Sequence, residues 1–330
     1  MILAAFALAA CNGGIAPYAA SSSSAGAPAS GEAHRASLCP CLYVANRGTP
    51  NSVTVYAEGA HGKAAPIEEI SGSNTGLDNP WGVALDSSGN IYVTNSTGST
   101  VTEYAAGANG NATPIATIGG PYTDLNDPGG ITLDGSNNIY VANYSSDAIT
   151  VFAAGANGNV APTQFIHGSY TNLSDPLGIA MDAGNDIYVA SSHNDSVEVF
   201  AAGANGNATP IRTISGANTK LNLPSGLTLD GSDDIYVANA GDHAPPWSVN
   251  VFAAGANGNV SPTQYIEGSK TKLNYAYGIA LDSSANIHVA NEVPNTVTTF
   301  AAGANGNVKP KSKLKGKKTK ISSPVGILIR

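Results

Sequence analysis

Histidine and carboxylate come together in three short stretches of this chain. SSHNDS, residues 191–196, supplies His193 and Asp195; NAGDHAPPWS, residues 239–248, supplies Asp242, His243 and Trp247; NEVPN, residues 291–295, supplies Glu292. Imidazole nitrogen and carboxylate oxygen are donors that hold a divalent metal, and the same groups serve as general acid and base. Trp247 would add a stacking wall, and Tyr275 and Tyr277 of NYAYG would extend it. Aromatic rings with amide groups equally suit a carbohydrate. Against these stands the plainer reading of solvated loop residues, because surface loops are naturally polar and variable. Chemistry requires that the side chains converge, and convergence depends on the fold.

The elements that must position them form a repeat. The Gly of a Pro-x-Gly corner recurs at Gly82, Gly130, Gly178, Gly226, Gly278 and Gly326, with Ala276 in place of the Pro before Gly278. The spacings are 48, 48, 48, 52 and 48 residues, a period that marks a repeat architecture. Each copy runs from a first strand such as WGVALD or LGIAMD, through a DSSGN-type turn, to a second strand such as IYVAN. A variable loop leads to a third strand such as VTVYA or VEVFA, then to a near-identical AAGANGN, whose Asn-Gly is a turn signal, and to a fourth strand. Four antiparallel strands make one propeller blade, and inner strands apolar on successive residues suit blades packed face to face.

Six first strands and six second strands can be counted. The chain enters at a second strand, residues 42–45, and ends on a lone first strand, residues 325–329. That last strand can complete the blade that the first opened, leaving no exposed edge at the seam. The expectation is an all-β, six-bladed propeller of four-stranded antiparallel blades over residues 42–330, closed by the C-terminal strand. A low charged content of 12%, with 38 Gly and 19 Pro among 330 residues, agrees with short strands and tight turns. A net charge of −8 argues against a general nucleic-acid binder.

Strand direction puts the loops before the first strand and after the second on one face, the top, and the DSSGN and AAGANGN turns on the other. The bottom turns are nearly the same in every copy. The top loops diverge, most of all in three consecutive blades, where His193, Asp242, His243, Trp247, Tyr277 and Glu292 would sit. A ligand without six-fold symmetry needs such divergence, so these six residues are the candidate top-face ligand or metal site.

Pro-x-Gly-Ile-Ala-x-Asp, Asn-Ile-Tyr-Val-Ala-Asn and a Val-x-Val-Phe strand together resemble the NHL repeat, over residues 42–330. The resemblance implies a six-bladed propeller with ligand contacts on one face. Similar propellers include the gluconolactonase and streptogramin-lyase groups, which use a metal at the mouth of the central channel. The first expectation for function is a binding or scaffold module that takes a glycan, peptide or protein at the cell surface. The alternative is a metal-assisted, lactonase-like hydrolase or lyase in which His193, Asp242, His243 and Glu292 act as ligands or acid–base groups.

The N-terminus, MILAAFALAAC, reads as an export segment over residues 1–10, and Leu8-Ala9-Ala10-Cys11 resembles the bacterial lipobox. Cys11 is then the lipidation site of an extracytoplasmic, membrane-anchored monomer, with a secreted form as the alternative. Residues 11–41, rich in Ala, Ser, Gly and Pro, read as a flexible tether. Cys39 and Cys41 close it, as incidental thiols or a strained redox pair.

Lys309, Lys311, Lys313, Lys315, Lys317, Lys318 and Lys320 form a basic patch on the last blade that leaves −15 on the rest of the chain. It suits an anionic polymer or surface, or guards a strand edge with charge. Residues 230–234, DGSDD, resemble part of a calcium loop but occupy a hairpin turn, and Gly241 stands where the terminal Glu would be. Asn46, Asn95, Asn143, Ser191, Asn239 and Asn291 end the second strands and are read as ties for the top loops. His288, where Tyr is usual, is read as packed between blades.

Overall fold

The computed structural model describes residues 40–241 and 245–330. Cys11, Cys39, Asp242 and His243, with the export segment and nearly all of the tether, lie outside the described residues. The described residues form six four-stranded antiparallel sheets. From the channel outward, blade 1 is Pro324–Ile329, Cys41–Asn46, Ser52–Ala57 and Glu68–Ser71. Blade 2 is Pro80–Leu85, Ile91–Asn95, Thr100–Tyr104 and Ala116–Gly119, and blade 3 is Pro128–Leu133, Ile139–Asn143, Ala148–Phe152 and Gln164–Ile166. Blade 4 is Pro176–Met181, Ile187–Ser191, Ser196–Phe200 and Arg212–Ser215; blade 5 is Pro224–Leu229, Ile235–Asn239, Ser248–Phe252 and Gln264–Glu267. Blade 6 is Ala276–Leu281, Ile287–Asn291, Thr296–Phe300 and Ser312–Lys315.

The second strands of blades 2 to 6 are buried at every residue, which is why their sequences are continuously apolar rather than alternating. The core lies between blades: Ile187 and Val189 of blade 4 pack with Tyr140, Ala142, Ile149 and Val151 of blade 3. Third strands end on fully buried Phe152, Phe200, Phe252 and Phe300, each contributing about 2–3 kcal/mol by leaving water. Blades 1 and 2 use Tyr56 and Tyr104 there, and the hydroxyls donate to the carbonyls of Thr319 and Thr75.

The recurrent Gly of the corner is required by close approach. A Cβ on Gly226 would lie 2.2 Å from the Tyr277 carbonyl oxygen, and one on Gly130 would lie 2.4 Å from that of Leu177. Adjacent first strands therefore pack backbone to backbone around the channel. The ring closes as the sequence predicts: Pro324–Ile329 pairs antiparallel with Cys41–Asn46, with Leu42 opposite Ile329. Cys41 and Arg330 exchange backbone hydrogen bonds at the end of that ladder.

The AAGANGN segments correct one expectation. They are clasps that cross to the outer strand of the preceding blade, not bottom hairpin turns alone. Gly110 forms a parallel bridge with Ile70, donating to the Glu69 carbonyl at 2.7 Å and accepting from the Ser71 amide at 2.9 Å. Asn109 Oδ1 accepts from the Glu69 amide and Asn111 Oδ1 from the Asn74 amide. Asn157 and Asn159, Asn205 and Asn207, Asn257 and Asn259, and Asn305 and Asn307 repeat both bonds. Each outer edge, which would otherwise invite pairing with another chain, is thus covered by its neighbour. At the seam the Asn positions are His61 and Lys63, and Gly62 alone holds the outer strand of blade 6 through Lys313 and Lys315.

Candidate functional site at the channel mouth

The second strands end on a buried Asn ring that ties the top loops, as its position suggests. Asn95 Nδ2 donates to Thr102 Oγ1 at 3.1 Å, while its Oδ1 accepts from the Asp78 amide at the approach to the same blade's corner. Asn46, Asn143, Asn239 and Asn291 do the same with their own partners. Blade 4 departs: Ser191 is too short for both tasks, and Glu198 replaces the third-strand Thr. Glu198 is fully buried; its Oε1 accepts from Asn172 Nδ2 and the Ser196 hydroxyl, and Oε2 is unsatisfied. Burial pushes its carboxyl above the usual carboxylate range.

Above this ring the corners and the residues after the Asn positions enclose a cavity of about 330 Å³ at the top of the channel. Its chemistry is concentrated on blades 6, 1 and 2. Arg47, directly after Asn46, donates through Nε and Nη2 to Glu292 Oε1 at 2.9 and 2.6 Å. Its guanidinium carbon lies 4.7 Å from the Trp81 ring centre and 5.3 Å from that of Tyr277, and the two rings meet edge to face at 5.4 Å. Asn79 and Ser96 of blade 2, Asp127 and Tyr144 of blade 3 and Ser192 of blade 4 also line the cavity. Burial raises the Tyr277 phenol, with Arg47 opposing and Glu292 adding to the rise; burial raises Tyr144, with Asp175 adding. Both phenols are therefore neutral donors at physiological pH.

Of the residues singled out from sequence, Tyr277 and Glu292 belong to this mouth. Glu292 is engaged by Arg47, with the pair only 23% and 16% exposed. His193 is 76% exposed, 3.8 Å from Asp175. Asp195 is a strut whose Oδ1 accepts from the Leu223 amide at 2.7 Å. Trp247 packs against Tyr275 and the core between blades 5 and 6 and lines a separate recess. Among the described residues no group of three or more His, Cys, Asp or Glu is placed to hold a metal ion.

Two further readings are settled by hydrogen bonds. Asp230 Oδ1 accepts from the amides of Ser232 and Asp234, so DGSDD is a turn that satisfies itself. His288 is buried between Asp282 Oδ2 and the Thr299 hydroxyl, both at 3.2 Å, and takes the place of the Tyr188 hydroxyl on Asp182. Sequence reasoning missed Arg47, Trp81, Tyr144 and Asp127. The signal was present in the same divergence: the middle residue of the corner is Trp81, Gly129, Leu177, Ser225, Tyr277 and Val325, and the residue after the ring is Arg47, Ser96, Tyr144, Ser192, Ala240 and Glu292.

The NHL repeat family model matches residues 77–104, the first strand of blade 2 through the third. No curated protein matches this chain. A protein of unknown function from Bacteroides caccae shares the fold, with a TM-score of 0.63 and 11% identity over 88% of this chain and 98% of that one. The periplasmic gluconolactonase of Pseudomonas aeruginosa superposes with a TM-score of 0.62 and 16% identity over 88% and 98%. Virginiamycin B lyase from Staphylococcus aureus gives 0.53 and 11% over 81% and 83%. Identities this low establish shared architecture alone. The chain is a six-bladed β-propeller that carries an NHL repeat.

Proposed function

We propose that this protein is an exported, lipid-anchored binding module whose channel mouth takes a sugar unit of a surface glycan. The observation that carries the reading is the mouth itself: Arg47 held by Glu292 against Trp81 and Tyr277, in a cavity of about 330 Å³ that Asp127, Ser96 and Tyr144 also line. Sugar rings present apolar C–H faces that lie on aromatic rings, and hydroxyls that pair with carboxylate, guanidinium and phenol groups. Export and anchoring rest on MILAAFALAAC and the lipobox-like residues before Cys11.

Calorimetric titration against a panel of oligosaccharides tests the site. Trp81→Ala and Asp127→Asn should each weaken binding by about tenfold or more. Absence of any glycan binding, with a divalent-metal-dependent lactone hydrolysis that His193→Ala and His243→Ala abolish, would favour the hydrolase or lyase reading instead. Cys11→Ser should move the protein from the membrane fraction to the soluble fraction; retention refutes the anchor.

A further inference from the structure

A second recess, about 920 Å³, opens on the rim where blades 5, 6 and 1 meet. Lys63, Lys272, Lys313 and Lys315 line it together with Trp247, and Glu267 is the one acid among its described lining residues. Three junctions of the ring carry a lysine at the same loop position. Lys220 lies over the Tyr265 ring at 4.3 Å, and Lys320 pairs with Glu69 at 2.5 Å. Lys272 occupies that position between blades 5 and 6, and the equivalent residue on the next blade is Lys313. Among the described residues Lys272 donates only to the Ser269 carbonyl, and Lys63, Lys313 and Lys315 have no ion pair. Burial, then Lys315 and Lys272, hold the Lys313 ammonium below its ordinary pKa.

A place where the other junctions put a complementary partner therefore holds like charges in a concave site, which is the electrostatic signature of a missing anion. Trp247 gives the recess a flat apolar wall, which a sugar ring can cover while its substituents reach the ammonium groups. An extended polyphosphate would have to lie along a chain whose remainder is strongly acidic, and a flat lipid surface does not enter a recess. We infer that this recess binds an acidic oligosaccharide, with uronate carboxylates on Lys63, Lys272, Lys313 and Lys315 and a ring against Trp247.

The full chain is titrated with an oligogalacturonate and with its methyl ester. The acid should bind more tightly than the ester, and that preference should fall about tenfold or more in Lys313→Gln/Lys315→Gln and in about 0.5 M salt. The double variant should melt no lower than the parent, since it relieves repulsion from Lys272. Trp81→Ala should leave the preference intact, which separates this recess from the channel mouth. Equal binding of acid and ester, or an unchanged preference in the double variant, overturns the inference. So does tighter binding of single-stranded DNA or anionic vesicles that the same lysines control.

Discussion

The rim clasps and the channel mouth are built by the same repeat, yet one is uniform and the other is different in every blade. Five clasps use the same two Asn side chains and the same pair of Gly backbone hydrogen bonds onto the preceding blade. At the mouth, the six corner positions run from Gly129 to Trp81. A position where the backbones of two blades must meet admits one solution, because an unsatisfied or displaced amide has nowhere to go. A corner position beside the channel is held to no single contact, so its side chain can differ: Ser225 donates to the Ala276 carbonyl, while Trp81 and Tyr277 line the mouth. Uniformity across copies therefore marks what holds the ring together, and difference marks what the ring presents.

The largest expected break in that contrast is removal of residues 324–330. It deletes the innermost strand of blade 1 and every rung opposite Leu42 to Asn46, reopening the ring and exposing a long edge. Loss of the cooperative melting transition is expected, since native stability is only about 5–15 kcal/mol in total; a truncated chain that still melts cooperatively near the parent would show that the seam is dispensable. Gly226→Ala comes next. Its methyl would press on the Tyr277 carbonyl from 2.2 Å, and overpacking of this kind costs about 1–3 kcal/mol in denaturant unfolding. A cost near zero would mean that the first strands can slide apart.

Glu198→Gln sharpens the comparison in the other direction, at the one ring position that breaks the pattern. Burial holds the folded carboxyl above its ordinary value, so the native state binds more protons there than the unfolded chain and stability falls as pH rises beyond about 4.5. Gln removes that penalty. A gain of about 1 kcal/mol is expected at pH 7, shrinking as pH falls toward about 4.5 and absent below it, in denaturant curves taken across that range. A gain that persists in acid, or a loss at pH 7, would show that the carboxylate is fully satisfied in the fold.

Period, strand count and the lone final strand made the ring legible from sequence, because each is a local pattern repeated at a fixed interval. The clasp was hidden for the opposite reason: Asn-Gly in AAGANGN announces a turn, while the amides it serves lie about 40 residues earlier, in another blade. At the site, attention to His and carboxylate picked out His193 and Asp195, of which one is exposed and the other props a corner. Trp81 and Arg47 carry no catalytic signature by type. They become visible only when the copies are aligned and each is seen to differ from its five counterparts.

The closing strand also sets where the described chain enters and leaves the ring. Second strands run toward the channel mouth, so Cys41 and Arg330, joined by backbone hydrogen bonds, lie at the far end of blade 1 from Arg47. The underside, where the chain enters blade 1, and the mouth, with Trp81, Tyr277 and Asp127, are therefore opposite faces of the ring.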